Sequence, residues 1–391
     1  MRPDERPVAI AGAGIAGLTA AIALARFGFA VDIYERAGAL AEVGAGLQLS
    51  PNALRVLDRL GLLDALSLRA VAARSVTLRR FGTGRPIAEV PVQGSDGTPY
   101  LSLHRGALQA ALLEAAGAEP RIRLHLGHPV ASVSEHADCI ELAFAGGTSA
   151  RARCLVAADG VRSQVARAAG FADPSPTGTI AWRTTLPVRD GIAAPTGIDA
   201  WLGPRRHAVA YPIEAGAAVN LVLIDQADAA AESDPVRHLL RRFSGWDRRL
   251  LGWIEAAAPP TPWPILSVDA ERYYRIGTST LLIGDAAHAM PPYAAQGAAL
   301  AIEDAFVCAA MLASRPSVDA AFATFEAERR PRVEAVRRRV AFHRFVYHLP
   351  GPASLVRDAV LAVQPKASLA RGLRWLYDWT PPDIATSSPA P

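Results

Sequence analysis

The run Gly12-Ala13-Gly14-Ile15-Ala16-Gly17 leaves the N-terminal chain few options. Ahead of it Val8 to Ala11 reads as a short buried strand. Behind it Leu18 to Phe27 is Ala/Leu-rich, stops at Gly28, and reads as a helix. Val31 to Tyr34 is then a second strand closing on Glu35. In such a turn Gly12, Gly14 and Gly17 let the backbone bend tightly and approach a pyrophosphate, whose charge meets the free N–H groups and positive end of the helix. Glu35 is placed to accept hydrogen bonds from a ribose diol and disfavours a 2′-phosphate there. A GxGxxG alone is a weak signal; with both flanking elements and Glu35 it points to a bound dinucleotide.

Pro7 to Ala25 carries no charge and follows Arg2 and Arg6, which imitates a signal peptide or a membrane span. The three glycines break its apolar run, and Asp4 and Glu5 spoil a positive leader, so a core segment and no membrane anchor are expected. The chain has 391 residues, 51% hydrophobic and 20% charged, enough for two or three packed units and incompatible with intrinsic disorder. Its net charge of +4 rests on arginines spread along the chain, which argues against a nucleic-acid partner. Cys139, Cys154 and Cys308 lie far apart with no metal-ligand spacing, so neither a disulfide framework nor a metal site is expected, and a cytoplasmic location fits.

Gly106 to Ala116 reads as a helix, and Ile122 to Leu126, Ala131 to Ser134, Ile140 to Phe144 and Leu155 to Ala158 as strands, the last stopping at Asp159-Gly160. They alternate as in a parallel-sheet nucleotide domain. From about Phe171 to Tyr274 the strands Thr179 to Leu186, Ile198 to Leu202, His207 to Ile213 and Val219 to Ile224 suggest an antiparallel sheet, joined by Ser75 to Phe81 and Ile87 to Val92. A helical excursion spans Asp234 to Ala257. Asp319 to Tyr347 is a long helix whose Arg329, Arg330, Arg332 and Arg337 to Arg339 read as a solvated face. The tail from Pro381 is expected to be disordered. The fold class is therefore α/β: a Rossmann-like dinucleotide-binding domain (1–74, 100–172 and 275–318), an inserted, mostly antiparallel β-sheet substrate domain (75–99 and 173–274), a C-terminal helical region (319–380) and a disordered tail (381–391).

Two later motifs go further. Cys154-Leu-Val-Ala-Ala-Asp159-Gly160-Val-Arg162-Ser163-Gln-Val-Ala-Arg167 and Leu281-Leu-Ile-Gly284-Asp285-Ala-Ala-His288, the latter extended by Pro291-Pro292, Gln296-Gly297-Ala298 and Glu303-Asp304-Ala305, follow the first in order over roughly residues 8 to 310. Together the three resemble the fingerprints of the single-component (group A) FAD-dependent aromatic hydroxylases with the p-hydroxybenzoate hydroxylase fold. The resemblance implies FAD, with Gly12, Gly14, Gly17, Glu35, Arg36, Gly46, Arg105, Asp159, Asp285, Gly297 and Ala298 as its binding residues and NADH or NADPH as a transient cosubstrate. Asp285 would accept from the ribityl chain, and the helix starting near Gly297 would face the pyrimidine edge of the flavin, its dipole favouring the anionic reduced form. Taken alone, Asp285 could merely cap a helix and Arg105 could be an ordinary surface arginine. The segment Val43 to Asn52 resembles the loop beside the isoalloxazine, its glycines suiting a mobile flavin; it could equally be a plain approach to a helix capped by Ser50.

On the strand His207-Ala-Val-Ala-Tyr211-Pro212 residues 207, 209 and 211 share a face, and His207 and Tyr211 stand about 13 Å apart along the backbone. This pattern is similar to the substrate strand of 3-hydroxybenzoate, salicylate and 6-hydroxynicotinate hydroxylases, and Gln296 resembles a further substrate contact. The resemblance implies hydroxylation of a small phenolic or heteroaromatic acid with O₂, through a flavin C4a-hydroperoxide. His207 would be the base, Tyr211 a positioning donor and Gln296 a contact. A satisfied core histidine is the competing reading of His207. Arg183, Arg205 and Arg206 are equal candidates for a substrate carboxylate. Tyr293 and Tyr274 depart from residues common in the family, which leaves the substrate open, as are ring position, decarboxylation and a monomeric or homodimeric state. Another flavin-dependent oxidoreductase is the nearest alternative. A flavin halogenase would need a lysine at its centre, whereas the only lysine is Lys366 near the C-terminus. A flavin-free lipid-binding chaperone of related fold would not need Glu35 and Asp285.

Overall fold

The computed structural model describes residues 6–40, 45–189, 192, 194–227 and 234–383. Among them, Val8–Ala11 lies inside a six-stranded sheet ordered Arg275–Ile276, Thr280–Leu282, Cys154–Ala157, Val8–Ala11, Val31–Glu35, Ile122–Leu126. All but the first strand run parallel. Burial on both faces explains the unbroken apolar runs of the central strands. The helix Ile15–Arg26 packs on this sheet, and Gly297–Ser314 packs on that helix. The second is long and apolar enough to cross a membrane, yet most of it is buried in the core.

The first helix begins at Ile15, not Leu18, because Gly17 belongs to its opening turn. A Cβ on Gly17 would stand 1.9 Å from the Gly12 carbonyl oxygen, so only glycine lets the helix sit this close to the turn. Gly12 has φ +98°, and a Cβ there would lie 2.7 Å from the Ala158 carbonyl oxygen.

Two strands expected in the parallel sheet are elsewhere. Val130–Glu135, Ile140–Phe144 and Ser149–Ala152 form a separate antiparallel meander. The four residues from Ala145 to Thr148 turn on Gly147 at φ +81° and are too few for a parallel crossover.

The second large sheet has seven strands: Thr261–Ser267, Ser175–Pro187, Ala218–Gln226, Arg206–Ile213, Ile198–Gly203, Ser75–Arg80 and Pro86–Pro91. Only the Ile198–Gly203 and Ser75–Arg80 pair is parallel. Register assigns its faces. Trp182, Leu223, Ala208 and Trp201 stand opposite one another and point into the core under the helices Pro235–Arg242 and Arg248–Ala256. The opposite face carries Arg183, Val222 and Val209 in one row, with Tyr211 beside Asn220 and His207 beside Ile224 in the flanking rows. A small sheet, Gly46–Leu49, Tyr100–His104 and Val71–Ala73, lies against this face.

The arginine run on the long helix Val318–Tyr347 is only in part a solvated face: Arg338 is exposed, but Arg329 and Arg332 turn inward to carboxylates. Arg329 is 1% exposed, and its Nε donates to Asp304 Oδ1 at 2.7 Å. Arg332 grips Glu303 through Nε at 2.5 Å and Nη2 at 2.6 Å. The partners come from the middle of Gly297–Ser314, out of reach of any local reading. The tail also differs at its start: Arg59 binds the Pro382 carbonyl at 3.0 Å and the Asp383 carboxylate at 2.5 Å, while residues 384–391 lie outside the described chain.

Candidate functional site: a dinucleotide cradle beside an aromatic-lined sheet face

Gly14 stands at the N-cap of the first helix and offers no side-chain cap, and the first turn holds no acidic residue, so its N–H groups and positive end stay available. A Cβ on Gly14 would meet nothing within 4 Å. Glu35 leaves its strand at the rim of this turn, where Oε2 accepts from the Ala13 N–H at 2.8 Å and Oε1 from the Ala37 N–H at 2.9 Å. Gly12, Gly14, Glu35, Arg36, Asp159 and Arg162 line one cleft of about 190 Å³. Asp159 caps the next helix, its Oδ2 accepting from the Gln164 N–H at 2.7 Å, while its Oδ1 is buried without a partner among the described residues.

Asp285 is exposed at the start of the short helix Asp285–His288. Its Oδ1 lies 4.0 Å from where Gly297 would carry a Cβ, so the third motif and the start of Gly297–Ser314 meet. That helix too has no side-chain cap and no acidic residue in its first turn. Just before it, Ala295 holds φ +51°, a strained conformation for alanine. Behind Asp285, Asp304 takes the Gly284 N–H at 3.0 Å and His288 Nε2 at 2.6 Å. Burial would raise the Asp304 carboxyl, but the charges of His288 and Arg329 outweigh it and hold it well below the usual range.

Gly46 pairs with His104 in the small sheet, and the next residue, Arg105, is exposed and donates its N–H to the Ala45 carbonyl at 2.9 Å. The Gly46 N–H donates to Asn220 Oδ1 at 2.6 Å, and a Cβ on Gly46 would stand 2.6 Å from the Tyr211 ring. This end of the expected mobile loop is therefore pinned to the large sheet; Val43 and Gly44 lie outside the described residues.

His207 is 4% exposed. Its Nδ1 meets His348 Nε2 at 2.9 Å, and its ring lies among Tyr293, Tyr347 and His348. Burial, then the His348 and His343 charges, push its pKa well below that of a free imidazole. Tyr211 is buried beside Asn220 and Arg183; burial raises its hydroxyl well above the ordinary value, against the pull of the arginine and of the neighbouring Asn220 amide. Gln296 departs from its expected position. Its side chain is buried and turned toward the helix Pro51–Arg59, where Nε2 donates to Ser50 Oγ at 3.0 Å and Oε1 accepts from Asn52 at 3.3 Å. It braces the start of Gly297–Ser314 and contributes no free amide to the sheet face.

The arginine alternatives also separate. Arg206 is bound to Asp225 at 2.6 Å, and Arg205 lies in a turn at φ +58° on an outer groove. Arg183 has no carboxylate partner among the described residues; it lies over Trp263, its Nε buried and unpaired. Burial lowers its pKa, Tyr211 opposes that, and Arg105 adds to it. Sequence reasoning missed Asn220, although a lone polar residue among Val219, Leu221 and Val222 was a usable signal. It also missed His348, which has no local signature.

The positions fit the FAD implied by the sequence. Two uncapped helix starts, one beside Glu35 and one beside Asp285, offer N–H groups to anionic or electron-rich parts of a ligand, and no side chain fills the space before Gly14. Comparison with known proteins agrees. A family model for the FAD binding domain matches residues 5–340. The 3-amino-4-hydroxybenzoate 2-monooxygenase of Streptomyces cremeus is 34% identical over 98% of this chain and 98% of its own. The 3-hydroxybenzoate 6-hydroxylase of Klebsiella oxytoca is 31% identical over 95% of this chain and 96% of its own. The structure of Klebsiella pneumoniae HpxO complexed with FAD and uric acid superposes with a TM-score of 0.82 at 25% identity, covering 94% of this chain and 96% of that one. With likeness running the length of the chain and a cradle suited to the cofactor, this protein belongs to the FAD binding domain family and is a FAD-dependent aromatic-ring monooxygenase.

Proposed function

We propose that the sheet face bearing His207, Tyr211 and Arg183 receives a small phenolic or heteroaromatic carboxylic acid, which is hydroxylated with NADH or NADPH as the reductant. The observation that carries this reading is one face on which a buried, neutral histidine and a carboxylate-free arginine flank the half-buried Val209 and Val222. Those two valines give an apolar floor for a ring; the polar groups stand at its ends.

Each residue has a role set by its surroundings. His207 stays uncharged at neutral pH, and its Nε2 has no hydrogen-bond partner among the described residues, so it is the acceptor for the phenolic proton. A phenolate is more electron-rich than a phenol and reacts faster with an electrophilic oxygen. Tyr211 keeps its proton and donates to the substrate, while Arg183 pairs with the carboxylate. FAD, when bound, supplies the redox chemistry and the activation of O₂. Glu35, Asp159 and Asp285 hold it, and Arg36, in the cleft beside Glu35, and the exposed Arg105 add positive charge. The names of the two relatives, both acting on hydroxybenzoates, favour this substrate class.

The test is a panel of hydroxybenzoates, aminohydroxybenzoates, salicylate and hydroxynicotinates, read by oxygen uptake and product mass. Coupled hydroxylation of an acid on the panel is expected; reductant oxidation that none of them stimulates would refute the substrate class.

A further inference from the structure

A base buried as deeply as His207 is a poor place to leave a proton, because the site disfavours its charged form. The proton has to move on, and the structure offers one neighbour positioned to take it. We propose that His348 is a relay residue, carrying the substrate's hydroxyl proton from His207 to water in a groove on the outer surface. This rests on the reading of His207 as the base.

His207 Nδ1 and His348 Nε2 are 2.9 Å apart. His348 ends the long helix Val318–Tyr347 and is half-buried, so it belongs to two places at once. One side meets His207 and the Tyr293 ring; the other lines an open groove of about 420 Å³ with Arg205, Gln226, Arg344, Phe345 and Pro350. The Arg205 N–H also reaches the His348 carbonyl, at 3.4 Å, tying the helix end to the turn preceding the His207 strand.

The transfer balances with one proton in and one out. The substrate O–H bond breaks as His207 Nε2 gains the proton. His207 Nδ1 gives its own proton to His348 Nε2, and His348 Nδ1 releases one to groove water. Exchange of both imidazole tautomers resets the pair. The groups facing it favour passage over storage. His343, Tyr293 and Tyr347 surround His207, and none is a carboxylate that would trap an imidazolium. Burial and then the Arg344 charge disfavour the protonated form of His348, and Arg205 lines the same groove.

The test uses the flavin-loaded enzyme and the hydroxybenzoate that the wild type turns over. Stopped-flow absorbance follows phenolate formation on mixing. His348→Ala is expected to bind the acid with an unchanged flavin absorbance perturbation but to form phenolate roughly tenfold or more slowly. Imidazole added to the buffer, which enters the vacated position from the groove, is expected to restore the rate. An unchanged rate, or a loss that imidazole does not repair, overturns the relay. His207→Phe is the control for the underlying reading: if it still forms phenolate at the wild-type rate, His207 is not the base, and that reading fails whatever His348 does.

Discussion

Arg329 and Asp304, 25 residues apart in sequence, are joined by a 2.7 Å hydrogen bond that water does not reach. With Glu303, Arg332, Asn52 and His288 they make a buried ionic lattice behind the third motif. Removing one partner leaves a buried charge without compensation, which costs about 3–5 kcal/mol. Arg329→Met is expected to lose that much in urea unfolding of the flavin-free protein. Arg330→Met breaks a more exposed pair with Glu326 and is expected to lose under about 1 kcal/mol. Equal losses would contradict the assignment.

Asp285 is exposed in the cradle and carries no structural hydrogen bond of its own side chain among the described residues. Asp285→Ala is therefore expected to fold with wild-type circular dichroism while binding FAD at least about tenfold more weakly, from the loss of charged hydrogen bonds worth about 1.5–3 kcal/mol. Quenching of flavin fluorescence on titration measures this. Wild-type affinity would remove Asp285 from the cofactor site.

Arg183→Gln is expected to raise KM for the aromatic acid about 10- to 100-fold, the scale of one charge-assisted contact. The carboxamide of the same acid should be affected far less, because it never paired with the guanidinium. Parallel KM measurements on the acid and the amide decide this, and an equal rise for both would mean that Arg183 only shapes the pocket.

Burial lowers the pKa of His343 and His348 to about 4, and that of His207 lies well below its ordinary value. In the unfolded chain all three protonate near pH 6.5. Between 6.5 and about 4 the unfolded chain therefore binds protons that the folded one does not, so stability falls as the pH drops through that window. The melting temperature is expected to decline steadily below pH 6.5, and less steeply in His343→Phe. A flat profile down to pH 5 would show that these rings are solvated.

The glycine turn, its strands and Glu35 are legible in the sequence because the whole unit lies within 28 residues and each element is dictated by its own neighbours. The seven-stranded sheet is nearly as plain, since period-two alternation survives whatever packs on it. Val130–Glu135 and Ile140–Phe144 mislead because short strands look alike whether they join a parallel sheet or a hairpin. The arginines of the long helix and the bracing role of Gln296 are hidden for a different reason. Their partners, Glu303, Asp304 and Ser50, are distant in sequence, and a charge or an amide gives no sign of what it will face. His348 is the extreme case, 141 residues from the histidine it touches.

Gly284, at φ +59°, lies between Ala16 and Ala301, where a Cβ would approach both methyl groups at 3.2 Å. Ala16 and Ala301 lie near the starts of the helices Ile15–Arg26 and Gly297–Ser314, so hydrogen at position 284 is the shim that lets two uncapped helix starts crowd against one strand end. Any larger residue there would have to push the two apart, and with them the paired sets of open N–H groups on which an anionic ligand depends.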